Sequence, residues 1–249
     1  CYVGVREPTQ RSRERDAEKN RAVDFQIATA LEAEKSSAHY EAAYDPKSID
    51  ATSVDEILRA REVALARAAA FVGPIPEGYN VSLHVYENEA AKETRTGLPD
   101  PAHAIAGARN LYMTRKAARS AAAHEEVHLL ARVMFGPCSL TAMYEGLAVA
   151  EAKTYRGTDI DLHASSMIDS GAFPSVDAIT DEERARGMSD MIRYPAAGLL
   201  VTWFRETLGV EAFKRAYASP TGGAAAFAKI LRTSPEAVES AFMAWVDAR

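Results

Sequence analysis

A five-residue run at positions 124–128, H-E-x-x-H, constrains this chain more than any other feature. Residues four apart lie on one face of a helix, so the imidazoles of His124 and His128 can converge on a single divalent ion. Glu125 follows the first histidine and can reach a metal-bound water from the side, where a general base is needed. The run therefore predicts a zinc site with hydrolytic chemistry.

The residues after the motif favour a helix with one buried side. Leu129, Leu130, Val133 and Met134 would bury that side and leave the two histidines facing a cleft. The alternative is an exposed, charged helical turn that binds no metal.

A catalytic zinc ion usually has three protein ligands and one open position, so a third ligand is needed. The metzincin continuation would place glycine at 131 and histidine at 134. This chain has Ala131 and Met134, which exclude that continuation. After a break at 136–137 a second helix is expected, and its Glu145 can complete a His, His, Glu set, with Glu151 as the rival ligand.

H-E-x-x-H followed by E-G-L-A at 145–148 resembles the gluzincin metallopeptidases, most closely the bacterial peptidase MA-like domains related to the aminopeptidase N and thermolysin groups. The resemblance implies one zinc ion held by His124, His128 and Glu145. It implies a structural or outer role for Glu151, in contact with the ligands rather than with the ion.

The resemblance extends to both sides of the motif. Residues 102–114 match the place of the family's edge strand, which lines the cleft and pairs with substrate backbone. Y-P-A-A-G at 194–198 resembles the family's tyrosine-then-glycine helix start, which implies that Tyr194 donates to the oxyanion. The alternative for Tyr194 is simple packing on a helix. No signature for capture of a free amino terminus is recognisable, so exopeptidase specificity is unsupported.

Hydrophobic periodicity predicts strands and helices in an α+β arrangement with a helical C-terminal lobe. The resemblance implies that the fold is zincin-like, with a small mixed sheet whose edge strand lies over the motif helix. Helices are expected at about 16–35 and from a cap at Ser53 to about 73. A further helix should end at Gly209, and Trp245 marks the last helix. Strands are expected at 38–44 and 81–86. Residues 1–20 are interpreted as a flexible tether and 21–249 as the domain, with a sheet-containing part near 36–135 and a helical part near 140–249.

Charge and cysteine usage narrow the choice of partners. A net charge of −6 gives no reason to expect nucleic acid, and no apolar run approaches the length of a membrane span. Cys138 is interpreted as a small buried filler. Cys1 begins the chain as in a mature bacterial lipoprotein, which predicts lipid attachment there and a location in the bacterial cell envelope; an arbitrary boundary is the alternative.

The sequence is compatible with two functions. The first is a zinc-dependent peptidase acting on peptides or proteins, with Glu125 as general base. The second is a non-catalytic envelope lipoprotein that keeps the fold as a zinc-binding or peptide-binding module. The remaining histidines lack ligand spacing: His39 and His84 are expected on strand surfaces, His103 near the edge strand and His163 in a polar loop.

Overall fold

The computed structural model describes residue 31 and residues 33–249. The strands in chain order are β1 Ala33–Ser36, β2 Tyr40–Tyr44, β3 Val81–Tyr86, β4 Ala102–Ile105, β5 Asn110–Thr114, β6 Thr154–Tyr155 and β7 Thr158–Asp159. The helices are α1 Ala51–Val72, α2 Glu89–Thr96, α3 Arg115–Ala118, α4 His124–Met134, α5 Thr141–Ala152, α6 Ile160–Asp169, α7 Val176–Thr180, α8 Glu182–Gly187, α9 Asp190–Trp203, α10 Val210–Tyr217, α11 Ala224–Leu231 and α12 Pro235–Asp247. This mixture is consistent with the expected zincin-like α+β class.

The described chain divides into two compact units. The first holds the residues up to 62 together with 78–103 and 109–121, and the second holds 63–77, 104–108 and 122–249. The predicted tether at 1–20 and Cys1 lie outside the described residues, and the predicted domain boundaries stay predictions.

The first unit is built on a five-stranded mixed sheet with the order β1-β2-β3-β5-β4. β1 pairs antiparallel with β2, whereas β2 with β3 and β3 with β5 are parallel. Alternate residues of the central strands are buried, including Tyr40, Ala42, Leu83 and Val85. This alternation places one face of β2 and β3 in the core, as the period of two in the sequence predicts.

Two sequence expectations at the start of the described chain are wrong. A helix was expected at about 16–35, but residues 33–36 form the strand β1. The part of that helix before residue 31 lies outside the described residues. Pairing with β2 outweighs local helix propensity here, because β1 exchanges backbone hydrogen bonds with its neighbour along its length. Ser53 does not cap α1; Asp50 does, since its carboxylate accepts from the Ser53 amide at 2.9 Å and hydroxyl at 2.6 Å.

The segment expected to be one edge strand at 102–114 consists of two strands. β4 lies at the edge of the sheet, and β5 lies inside it beside β3. A turn separates them, and Arg109 in that turn has a positive φ of 56°. A residue in the left-handed region ends an extended strand. The turn at 106–109 therefore divides the segment that the sequence pattern predicts as one strand.

The second unit is largely helical. α5 packs against both α4 and α9, and the helices after α9 surround an aromatic core that contains Trp203, Phe204 and Phe242. α9 continues into a π-helical turn at Phe204–Leu208, and Gly209 with φ 81° ends it, as expected. No helix of the described residues is both long and apolar enough to cross a bilayer.

Candidate metal centre

The motif helix begins at the first histidine of the motif rather than within the preceding alanine-rich segment. α4 starts at His124, its cap residue Ala123 makes no side-chain hydrogen bond, and the shorter α3 ends before it. Glu125 and Glu126 therefore occupy the first turn, where carboxylates interact favourably with the helix dipole. Leu129 and Leu130 are buried as expected, whereas Val133 is 47 % exposed, so the expected buried side is wrong at that position. Val127 and Ala131 complete the buried side.

α5 carries the predicted third ligand and is held at its start by a neighbouring helix. The cap residue Leu140 offers no side-chain hydrogen bond to α5. Glu182 of α8 supplies one, since its Oε1 accepts from the Thr141 amide at 2.9 Å. The start of the helix that carries Glu145 is thereby tied to α8.

The structure brings His124, His128 and Glu145 together. The Nε2 atoms of the two histidines lie 3.1 Å apart. Glu145 Oε2 lies 3.2 Å from His124 Nε2 and 3.7 Å from His128 Nε2. A tetrahedral zinc ion with bonds of about 2.0–2.1 Å separates its ligand atoms by roughly 3.3 Å. The three donor atoms therefore have the types and the spacing of a single zinc site.

The site opens on one side. The side chain of His128 is 4 % exposed and that of His124 is 39 % exposed, with Glu145 between them at 23 %. An ion held by all three can thus be reached past His124, as the open position of a catalytic zinc requires.

The ionisation of the three side chains favours the binding of a cation. Burial opposes ionisation of Glu145, but hydrogen bonds from both histidines outweigh it and hold the pKa of this carboxyl well below its usual range. Burial also opposes the charge on His124, yet Glu145, Glu125 and Glu126 raise the pKa of this imidazole. Burial and the neighbouring His124 lower the pKa of His128. Protons and a metal ion would therefore compete for His124.

Tyr144 is a site residue that the sequence interpretation missed. Its ring lies parallel to the His128 imidazole, with centroids 3.8 Å apart and an angle of 4° between the planes. Stacking of this kind restricts rotation of the imidazole and so orients the ligand. The only sequence signal was an aromatic residue directly before Glu145.

Tyr194 lies in a cleft beside Glu145. α9 begins at Asp190, so Tyr194 is in the second turn of the helix and not at its start as expected. Burial and the charge of Glu145 raise the pKa of its phenol, which keeps the hydroxyl protonated and able to donate. The oxyanion role of Tyr194 stays a prediction.

A second aromatic residue, Tyr155 of the β6–β7 hairpin, supports Tyr194. The two rings are stacked with centroids 5.0 Å apart, and the Arg193 guanidinium lies 4.8 Å from the Tyr194 centroid. Asp190 binds Arg193 at 3.0 Å and lies 3.7 Å from Arg156. The hairpin was not expected, because two-residue strands leave almost no periodic signal.

Glu151 has a different partner from Glu145. Its Oε1 accepts from Arg67 Nε at 3.2 Å and pairs with Nη2 at 2.9 Å. Its side chain is only 6 % exposed, so this carboxylate is committed to a structural ion pair.

The other histidines have local structural contacts. His39 Nδ1 lies 2.8 Å from Glu62 Oε2. His84 and His103 stack on opposite sides of an aromatic neighbour, Tyr112, with centroid distances of 4.7 and 4.8 Å, so His84 is not simply a surface residue. His163 lies in α6 rather than in a loop, because Asp159 caps that helix.

Cys138 is half-buried between α4 and α5, and its thiol donates to the Leu140 carbonyl at 3.4 Å. Burial raises the pKa of this thiol to about 11. The residue is therefore an unreactive thiol at neutral pH. It is less fully buried than the sequence interpretation expected.

No family model matches the sequence, and no curated protein matches it. Among solved structures, the chain is similar to a crystal structure of a mutant M1 zinc metallopeptidase from Deinococcus radiodurans, with 16% identity and a TM-score of 0.46. The similarity covers 87% of this chain and 51% of that one, so the chain spans about half the length of the enzyme that it matches.

Proposed function

We propose that this protein is a zinc-dependent peptidase of the gluzincin type. The observation that carries the proposal is the convergence of three ligand atoms, from His124, His128 and Glu145, within 4.8 Å of one another. Two imidazoles and one carboxylate with one side open are the ligand set of catalytic zinc in peptidases, whereas structural zinc sites are closed by four protein ligands.

The residues around the ligands suit hydrolysis of a peptide bond. Zinc held at this site would supply an activated water and polarise the scissile carbonyl. Glu125, next to His124 in the first turn of α4, takes the proton of the attacking water and passes it to the leaving amine. Tyr194 donates a hydrogen bond to the substrate oxygen as negative charge develops there.

A pair of measurements tests the proposal. Purified protein should contain about one zinc ion per chain after metal loading, and His128→Ala should not. Glu125→Gln should keep the zinc and lower peptide cleavage by roughly 10²–10⁴-fold, the usual contribution of a general base. Glu211→Gln, the same change at a side chain that is 78% exposed, is the matched control and should cleave like the parent.

The alternative function gives a different outcome. A non-catalytic zinc-binding or peptide-binding module would leave a diverse peptide library uncut, and Glu125→Gln would then change nothing. Failure to bind zinc at all would contradict the peptidase and a zinc-binding module, and would leave only a peptide-binding module. Lipid attachment at Cys1 and a place in the cell envelope stay predictions.

A further inference from the structure

The buried imidazole of His128 has one nitrogen without a hydrogen-bond partner. Its Nε2 lies 3.1 Å from Nε2 of His124 and 3.7 Å from Oε2 of Glu145, on the side of the ring where a metal ion would bind. Its Nδ1 is closed off from solvent and has no partner among the residues that the structure describes. In a zinc-binding histidine this second nitrogen almost always donates to a carboxylate, a carbonyl or a water.

The missing hydrogen bond matters once a metal ion is bound. A neutral imidazole carries one proton, so a metal ion on Nε2 leaves that proton on Nδ1. The hydrogen bond from Nδ1 normally fixes the rotation of the ring about its bond to Cβ, and it thereby aims the lone pair of Nε2 at the metal. His128 therefore needs another contact to hold its ring in this orientation.

The Tyr144 ring makes a contact of the required kind. Tyr144 directly precedes the ligand Glu145 on α5, and its ring lies flat on the His128 imidazole. The two centroids are 3.8 Å apart, and the angle between the planes is 4°. Rotation of the imidazole about its bond to Cβ would drive the edge of that ring into the flat surface of Tyr144. The stack thus opposes the same motion that a hydrogen bond from Nδ1 would oppose.

From this geometry we infer that Tyr144 is a positioning residue, which holds His128 in the orientation that zinc requires and replaces the hydrogen bond that Nδ1 lacks. The aromatic ring has this role, and the phenol hydroxyl does not. Two adjacent residues of α5 then act on the metal site, since Glu145 supplies a ligand atom and Tyr144 orients a ligand of α4. The inference rests on the zinc site of the proposed function.

Replacement of the ring tests this inference through zinc affinity and requires no turnover. Tyr144→Leu and Tyr144→Ile keep an apolar side chain but remove the flat surface. Each should raise the dissociation constant of zinc by about tenfold or more, as loss of a group that orients a ligand commonly does. Tyr144→Phe keeps the ring without its hydroxyl and should bind zinc within about twofold of the parent. Competition with a chelator measures these constants.

A second stacked tyrosine of the same unit provides the matched control. Tyr155 is half-buried like Tyr144, and its ring stacks on Tyr194 with centroids 5.0 Å apart, but Tyr194 is not one of the metal ligands. Tyr155→Leu should therefore keep the zinc affinity of the parent. Thermal unfolding of the metal-free variants shows that each is folded, and the two aliphatic replacements of Tyr144 guard against one that is not.

The possible results separate this inference from the proposed function. If the parent binds zinc and both aliphatic variants bind it equally well, the positioning role is overturned and the peptidase proposal stands. An equal loss in Tyr144→Phe would assign the effect to the hydroxyl, and an equal loss in Tyr155→Leu would assign it to a general loosening of the second unit. Either result overturns the role of the stack. If the parent binds no zinc, the peptidase proposal fails and the inference fails with it.

Discussion

Glu145 and Glu151 lie on the same helix and have different partners. They are six residues apart on α5, so a rotation of about 600°, or 240° beyond one full turn, separates their side chains. Only one can therefore face the histidines, and Glu145 does, while Glu151 binds Arg67.

The two carboxylates should respond differently to removal. Glu145→Ala should weaken zinc binding by more than about 100-fold, since loss of outer groups alone commonly costs 10–100-fold. Glu151→Ala should keep the metal and lower activity at most modestly. Competition with a chelator measures both, and thermal unfolding checks that each variant is folded. Equal loss of metal in the two variants would show that Glu145 is not the third ligand.

At the scale of a single residue, protonation of His103 makes the stability of the folded protein depend on pH. Burial, with a smaller contribution from the charge of Lys92, lowers the pKa of His103 to about 4. An unfolded histidine titrates near 6.5, so between about pH 6.5 and pH 4 the unfolded chain binds more protons. This residue therefore makes the protein less stable as the pH falls through that window.

Replacing His103 by phenylalanine keeps a ring beside Tyr112 and removes the titration. The free energy of unfolding, measured with urea at several pH values, should fall less steeply with acid, by up to about 1.4 kcal/mol per pH unit. His163→Phe is the control, because that ring lies beside Tyr155 and not on Tyr112. An unchanged slope in His103→Phe would mean that His103 is protonated in the folded state at a normal pH.

At the scale of elements, a glycine decides how closely two helices approach. Gly146 follows the ligand Glu145 on α5, and a Cβ there would lie 2.5 Å from the Ala197 carbonyl oxygen of α9. Gly198 makes the reciprocal approach, since its Cβ would lie 2.5 Å from Val149 Cγ1. Gly146 therefore brings α5 close to α9, the helix that carries Tyr194.

Gly146→Ala should therefore destabilise the protein by about 2 kcal/mol or more, because backbone atoms of α9 cannot move aside as a flexible side chain can. Helix propensity alone would favour alanine by about 1 kcal/mol. Gly187→Ala, at the end of α8 with nothing within 4 Å of the added atom, is the matched control and should be neutral or slightly stabilising. Urea denaturation compares them; equal stability would mean that α5 and α9 separate at little cost.

Some elements could be predicted from sequence and others could not. β3 and the two ligand helices were predicted because their apolar spacing is strong and local. α2 was missed, since seven of its eight residues are not buried and so leave no apolar stripe; its one buried residue is Lys92. The end of α3 leaves no clear signal in the sequence, because alanine alone does not mark a helix end. Its C-cap is Arg119, whose side chain binds Ser53 and Glu56.

At the scale of the whole molecule, metal binding and stability should be linked. The ligand atoms come from α4 and α5, which only the folded chain brings together. Zinc at 100 times its dissociation constant should thus stabilise the protein by about 2.7 kcal/mol. The increment should decline as the pH falls, because protons compete for His124, whose pKa is raised.

Thermal unfolding with and without zinc, at pH 7.5 and at pH 5.5, measures this linkage. His128→Ala should remove the zinc-dependent part at both pH values, and His163→Ala, outside the ligand set, should keep it. A melting temperature that does not respond to zinc in the parent protein would contradict a site formed by folding.

The sequence by itself determined that His124 and His128 share one face of a helix, because they are four residues apart, and it predicted a carboxylate of the next helix beside them. Only the tertiary structure decided the stack of Tyr144 on His128 and the pairing of Tyr155 with Tyr194. Spacing along a helix is fixed by its 3.6-residue turn, whereas contacts between helices depend on how closely their surfaces pack, which local periodicity does not encode.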